Sequence, residues 1–125
     1  MLAPGGRIVL IGQDWEMVAI DSDDPGLTRT IVHARAELVT GPRTARRYRN
    51  LLLDAGFREV TVEVHTDVLT GVDGLSVLVG MADAVRSAGA VTEARVGGWA
   101  EEQQRRAHDD RLFLAVPVFV ASATR

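Results

Sequence analysis

Three side chains that could take part in chemistry, Gln13, Asp14 and Trp15, directly follow the first largely apolar segment of the chain, residues 7–12. In open α/β sheets, ligands bind beyond the carboxyl ends of the strands. If the apolar segment is a strand of such a sheet, these three residues face the reacting centre. The structural alternative is that Asp14 caps a turn and Trp15 packs beneath a loop.

A second candidate pair, Arg29 and His33, lies four residues apart on a predicted helix. That spacing places both side chains on one face, where they would line a substrate pocket. The simpler interpretation is a solvated surface pair, because periodicity alone does not say which helix face borders a cavity.

The remaining charged and imidazole groups have structural interpretations. His65 falls on the polar face of a predicted strand, and His108 lies at a helix end, where the helix dipole favours a cation. The three histidines are too far apart in the sequence for a metal-ligand pattern, and the chain has no cysteine, so we expect no metal site. Four arginines close together are interpreted as a solvated helix face: Arg43, Arg46, Arg47 and Arg49.

The composition is that of an ordinary globular domain. Of 125 residues, 46% are hydrophobic and 25% charged, and the formal net charge of −3 gives no reason to expect nucleic acid or an anionic membrane as a partner. No segment reaches the roughly 20 apolar residues that span a bilayer, and the amino terminus lacks the apolar run of a signal peptide. We expect a cytoplasmic protein.

The predicted order of elements is strand, two helices, strand, two helices, strand. A Pro-Gly-Gly turn leads into the first strand, whose uninterrupted apolar run is typical of a strand buried on both faces in a parallel sheet. The expected strands are 7–12, 59–69 and 111–122, and the expected helices are 25–39, 43–55, 75–88 and 92–108.

Capping residues and glycines set the predicted helix limits. Ser22, Asp23 or Asp24 caps the first helix ahead of Pro25, while Gly56 and Gly89 end later ones. Thr92 can cap the last helix, whose continuity is in question because Gly97 and Gly98 lie within it. Met81, Trp99 and Phe113 are expected in the core.

The two later strands differ in pattern. Valines alternate with polar residues in 59–69, which indicates a half-exposed strand at the sheet periphery. The apolar strand 111–122 belongs inside the sheet. Pro117 lies within it and lacks the N–H that a ladder needs, so we expect a bulge or an unpaired position there.

Three segments carry a family resemblance: LAPGGRIVLIG, LLLDAGFREVTVEV and RLFLAVPVFVASATR. They resemble the turn and fifth strand, the next helix and sixth strand, and the final strand of class I S-adenosylmethionine-dependent methyltransferases. The segment 13–29 is similar to the subgroup related to ubiquinone and menaquinone biosynthesis. In this family the final strand is antiparallel and inserts between strands five and six.

The resemblance implies an α/β fold: the carboxyl-terminal half of a Rossmann-like methyltransferase sheet, with three strands, about four helices and a substrate-facing role. It also implies that Met81 and Trp99 form a lid over the substrate. The family's Gly-rich loop and ribose-binding acidic residue lie upstream of the Pro-Gly-Gly turn and are absent. The expected domain is therefore partial: S-adenosylmethionine is the cofactor of the complete domain, and the chain alone is inactive.

Three hypotheses remain open from the sequence. The first is half of a small-molecule methyltransferase. The second is a non-catalytic interaction module that forms homo-oligomers through an exposed edge of the first strand. The third is an unrelated small α/β binding domain, which leaves unexplained why a strand expected to be the most buried comes first.

Overall fold

The computed structural model describes residues 3–125, which form an α/β structure. Turn residues Pro4 and Gly5 lead into the first strand, as expected. The strands are β1 (Arg7–Gln13), β2 (Ala19–Ile20), β3 (Arg58–Leu69) and β4 (Leu114–Thr124). The α-helices are α1 (Pro25–Glu37), α2 (Tyr48–Asp54), α3 (Val72–Ala88) and α4 (Glu93–His108), and a short 3₁₀ helix (Ala45–Arg47) precedes α2.

β4 is the central strand of an antiparallel sheet. β1 and β2 pair with one edge of β4, and β3 pairs with the other, as in the pairs Leu10–Ala121, Ile20–Leu114 and Val64–Phe119. The predictions of an interior final strand and a peripheral 59–69 strand are confirmed. The predicted number of three strands is wrong: the two-residue β2 is a fourth, and it forms because β4 extends beyond the end of β1.

The prediction for β1 is wrong in two respects. β1 pairs antiparallel with β4, and no residue of 3–125 pairs with its other edge, so it is a border strand and not the middle of a parallel sheet. Its side chains alternate in burial, with Val9 55% and Ile11 68% exposed. A run of apolar residues shows that the side chains are apolar, but it does not specify which elements cover them. Within the described residues, no helix packs over Val9 and Ile11.

Pro117 is accommodated between two strands. On the β1 side of β4, pairing with β1 ends at Val118 and pairing with β2 begins at Ala115, so Pro117 is unpaired there, as expected. On the β3 side it lies opposite Thr66 in regular register. The sheet irregularity lies instead between Arg58 and Thr61.

Helix limits follow the capping residues. The Asp24 side chain accepts from the Leu27 N–H and caps α1, with Pro25 in the first turn. Gly56 and Gly89 have positive φ beyond the ends of α2 and α3, where glycine costs no Cβ strain. The predicted 43–55 helix is wrong at its start, because a turn and the 3₁₀ helix occupy 42–47. α4 runs without interruption through its two glycines.

Two core clusters lie on opposite faces of the sheet. Leu114 and Val116 pack with α1, α3 and α4, whereas Ala121 and Ala123 pack with Leu52 of α2. Side chains alternate along a strand, so the even-numbered and odd-numbered residues of β4 point to opposite faces. Each face is therefore covered by helices along only part of its length.

Of the three residues predicted to lie in the core, two are buried and one is exposed. Met81 and Trp99 are buried among the residues of the larger cluster, so they are core residues and do not form a lid. The Trp99 indole N–H donates to Thr28 Oγ1 at 2.9 Å, which ties α4 to α1. Phe113, just before β4, is 39% exposed and belongs to neither core cluster, so its assignment to the core is wrong.

β3 is more exposed than its alternating pattern predicts. Val62 and Val64 share a face with the residues beneath α2, yet they are 36% and 48% exposed because this short helix does not extend over the whole strand. Within residues 3–125, no helix is long and apolar enough to cross a membrane.

Candidate functional site

The turn after β1 is built around Asp14. Its side chain is fully buried, and both carboxylate oxygens accept from Arg46: Oδ2 from Nε, and Oδ1 from Nη2 at 2.8 Å. Oδ1 also accepts from the backbone N–H of Glu16 at 3.1 Å, which closes the turn. The capping role proposed as the alternative for Asp14 is therefore present.

The environment of Asp14 favours the ionised form. Burial raises the pKa of this carboxyl, but the hydrogen bonds from Arg46 and Glu16 N–H, with the positive charges of Arg46 and Arg43, outweigh it and hold the pKa below the ordinary value. A carboxylate of low pKa is a weak base near neutral pH. Asp14 is thus a positioning residue for the turn and unsuited to be a general base.

Glu16 joins this turn to α1 and to the segment before α2. Its Oε1 accepts from Arg43 Nη1 at 2.5 Å and lies 3.5 Å from His33 Nδ1, while Oε2 lies 3.4 Å from Arg46 Nη2. Arg43 Nη1 also donates to Glu37 Oε1 at 2.8 Å. Arg43 and Arg46 are therefore partners of buried and half-buried carboxylates, and their interpretation as part of a merely solvated face is wrong.

Three potential metal-ligand atoms converge at this place, from Glu16, His33 and Glu37, all within 4.8 Å of one another. The Arg43 guanidinium donates to both carboxylates and so supplies the positive charge that a cation would bring. The Arg43 hydrogen bonds also hold the pKa of Glu37 below its ordinary value. This cluster is an ion-pair network.

A small cavity of about 200 Å³ opens beside the network. It is lined by Glu16, Arg29, Val32 and His33. Val32 is buried and forms the apolar wall, whereas the His33 side chain is 64% exposed. Arg29 forms no ion pair with any residue in the described part of the chain. We call this cavity the α1 pocket.

The structure thus brings three of the five candidate residues to one area. Arg29 and His33 line the α1 pocket. Asp14 stabilises the turn that contains Glu16, another residue of the pocket lining. Trp15 contacts α1 elsewhere: the Arg35 guanidinium lies 5.2 Å from its ring centroid, and its backbone N–H donates to Pro42 O. Gln13 ends β1, opposite Val118.

Sequence reasoning missed Glu16, Arg43 and Arg46. Glu16 comes two residues after Asp14, at a spacing that a turn can bring towards the next helix, so a signal was present. The pairing of Asp14 with Arg46 joins residues 32 apart, which periodicity does not reveal.

Another surface depression, of about 570 Å³, lies along the outer side of α4, at Glu101, Gln104, Arg105, His108 and Asp109. Its lining is largely exposed, and its charges come from one helix and the turn after it. Nothing else converges on it, so we interpret it as solvated surface.

Gly12 and Asp14, at the carboxyl end of β1, both contact other residues of their own chain. A Cβ on Gly12 would overlap the Tyr48 hydroxyl, so the glycine makes room for a side chain of its own protein. Asp14, the first acidic residue after the strand, has both oxygens occupied by Arg46 and the turn backbone. Both positions are therefore occupied by intramolecular contacts.

Comparison with known proteins gives one informative match. An uncharacterized 37.1 kDa protein in transposon TN4556 of Streptomyces fradiae is 32% identical over 82 residues, which are 65% of this chain and 24% of that protein. The chain spans about a quarter of the length of this relative. No protein-family model matches the chain.

Proposed function

We propose that this chain is the acceptor-binding half of a small-molecule methyltransferase, and that S-adenosylmethionine is held by a companion α/β unit. The observation that carries the proposal is the strand order β1-β4-β3 with β4 antiparallel, which agrees with the order expected from the family resemblance. The open outer edge of β1 is where a companion strand would add to the sheet.

The α1 pocket is the proposed acceptor site. It lies beyond the carboxyl end of β1, the end at which ligands bind in open α/β sheets. Arg29 and His33 offer donors to an oxygen-bearing acceptor, and Val32 offers an apolar contact. A cavity of about 200 Å³ takes only part of a typical small-molecule ligand, so the rest of the acceptor extends towards the companion unit.

The chain's own residues contribute placement of the acceptor. Methyl transfer depends mainly on in-line positioning of the acceptor atom, with a base added where the acceptor must lose a proton. Asp14 and Arg46 fix the turn, and the turn fixes Glu16 against His33. This arrangement favours binding and orientation over proton transfer by Asp14.

An acceptor screen on the isolated chain tests the pocket. We expect small phenols, quinols or hydroxy acids to shift the amide NMR signals of Arg29, Val32 and His33. Arg29→Gln should weaken binding of the responding compounds at least about fivefold, because a charge-assisted hydrogen bond is lost. Arg47→Gln is the matched control, since Arg47 lies outside the pocket lining. A screen in which no compound moves these signals contradicts the acceptor site.

Calorimetry with S-adenosylmethionine tests whether the cofactor is bound by the companion unit and not by this chain. We expect no heat of binding to this chain, because neither Gly12 nor Asp14 is free to bind it. Micromolar affinity for the cofactor would contradict the proposal. In-frame coding DNA upstream that specifies a strand, a Gly-rich loop and a helix would support it.

A second candidate is a non-catalytic module that associates through β1. It is favoured by the open edge of that strand and by the exposed Val9 and Ile11 beside it. In this case the α1 pocket binds no acceptor, and the NMR screen separates the two candidates.

A further inference from the structure

The two borders of the sheet differ in protection against pairing with another strand. β3 carries Glu63, His65 and Asp67 along its exposed length, and its register is broken between Arg58 and Thr61. Charges and irregularities of this kind keep edge strands from associating. Residues 8–11 of β1 have no charge, proline or register break. By these criteria β1 is the border open to another strand.

The face beside that edge is apolar and partly uncovered. Val9 and Ile11 lie opposite Ser122 and Val120, so they share one face of the sheet with β4 residues of the same register. The two side chains are 55% and 68% exposed. A strand added at β1 would cover them laterally.

We propose that β1 pairs antiparallel with β1 of a second copy of this chain, around a two-fold axis at Leu10. This inference deepens the second candidate, association through β1, by naming the partner and the register, and it does not depend on methyl transfer. It gives an isologous contact, in which the same residues serve both copies, and it joins the two sheets into one. The same edge then serves either a second copy or a companion unit, so the two compete.

The register follows from complementarity of β1 with itself. With Leu10 on the axis, all seven residues of β1 are paired. Val9 of one copy lies opposite Ile11 of the other, twice, and these apolar pairs cover each other on the uncovered face. Arg7 lies opposite Gln13, whose amide oxygen can accept from the guanidinium. No like charges oppose one another.

Neighbouring residues leave room for this approach. The two-fold axis places the turn before β1 of one copy beside the end of β1 in the other. Gly5 and Gly6 in that turn have no side chains, and Asp14 at the other end is buried against Arg46 and does not project outward.

Sedimentation velocity of the full chain tests the association. An edge contact of seven residues is small, so we expect a reversible dimer with a Kd of about tens of micromolar. Ile11→Lys should give a monomer, because each copy would then place a charged lysine opposite Val9 of the other. Val64→Lys is the matched control, because Val64 is likewise an exposed β-branched residue of a border strand, and it should leave the dimer intact.

Circular dichroism and thermal melting should show both variants folded, since each replaced side chain is about half exposed or more. A monomer at about 500 µM for the unchanged chain overturns the proposal. So does a dimer that persists in Ile11→Lys and is lost in Val64→Lys.

Disulfide trapping tests the register independently of affinity. The chain has no cysteine, so any disulfide that forms must come from the introduced cysteines. Opposed residues of antiparallel strands lie within disulfide reach, whereas residues two positions off are at its limit. A mixture of Val9→Cys and Ile11→Cys chains should therefore cross-link faster than either alone. Equal rates in the three samples, or faster cross-linking of one variant alone, would overturn the proposed register.

Discussion

At the carboxyl end of β1, the turn depends on one charged pair, Asp14 with Arg46. Arg46→Gln leaves a buried carboxylate with weaker partners, and we expect a loss of about 1–3 kcal/mol in the free energy of unfolding at neutral pH. Arg46 is itself 44% exposed, which keeps the loss below that of a fully buried pair. Arg47→Gln is the control and should change stability by less than about 0.5 kcal/mol.

The pH dependence of that loss follows from the lowered pKa of Asp14. A carboxyl whose folded-state pKa lies below its unfolded value of 3.8 stabilises the fold above that value. The stabilisation disappears as pH falls through the folded-state pKa. Urea unfolding of both proteins across the acid range should therefore show their difference shrinking as Asp14 protonates. A difference that grows towards acid pH would contradict the role assigned to Arg46.

Gly12 is a second residue with a sharp steric requirement. A Cβ there would overlap the Tyr48 hydroxyl and lie 3.2 Å from Tyr48 Cζ, so Gly12→Ala should destabilise the protein by about 1–3 kcal/mol. Tyr48→Phe in the same chain removes the overlapping oxygen and should recover part of the loss. Gly80→Ala in α3, where a Cβ meets nothing within 4 Å, should instead stabilise by about 0.5–1 kcal/mol. Thermal unfolding of the three variants measures these changes, and equal losses at Gly12 and Gly80 would be inconsistent with them.

At the scale of elements, α1 and α4 are joined by a buried hydrogen bond from Trp99 to Thr28. Thr28→Val leaves the indole N–H without that acceptor, and we expect a loss of about 1–3 kcal/mol. Once Trp99→Phe has removed the donor, the same threonine change should cost less, and a double-mutant cycle in urea measures the coupling. Thr30→Val, on the exposed side of α1, is the control. Strict additivity would argue against the hydrogen bond.

At the scale of the whole molecule, β4 holds the two core clusters together. It alone in the described sheet has neighbours on both edges, so its residues 118–123 should show the slowest amide hydrogen exchange, near the rate set by global unfolding. The unpaired border of β3 should exchange by local opening, orders of magnitude faster. NMR-detected exchange measures both. Protection of β3 that equals that of β4 would mean that its outer border is covered.

Much of the local structure was predictable from the sequence. Asp24 with Pro25, Gly56 and Gly89 mark helix limits through capping and positive φ, which act within a few residues. The apolar character of β4 placed it inside the sheet, and the missing N–H of Pro117 implied an unpaired position. The site was predictable only in part: Arg29 and His33 follow from helical spacing, while Glu16, Arg43 and Arg46 come from segments that only the fold brings together.

The sequence by itself determined the order of the four helices and three longer strands and several of the helix limits, because propensity, capping and periodicity are properties of neighbouring residues. Only the tertiary structure decided that β1 is a border strand, that Phe113 lies outside the core, and that Asp14 is neutralised by Arg46. Each of these depends on which distant segment lies alongside. An apolar side chain such as Ile11 favours burial, but it does not specify what will cover it. Residues that the sequence predicted to be interior are therefore exposed at the edge of the sheet.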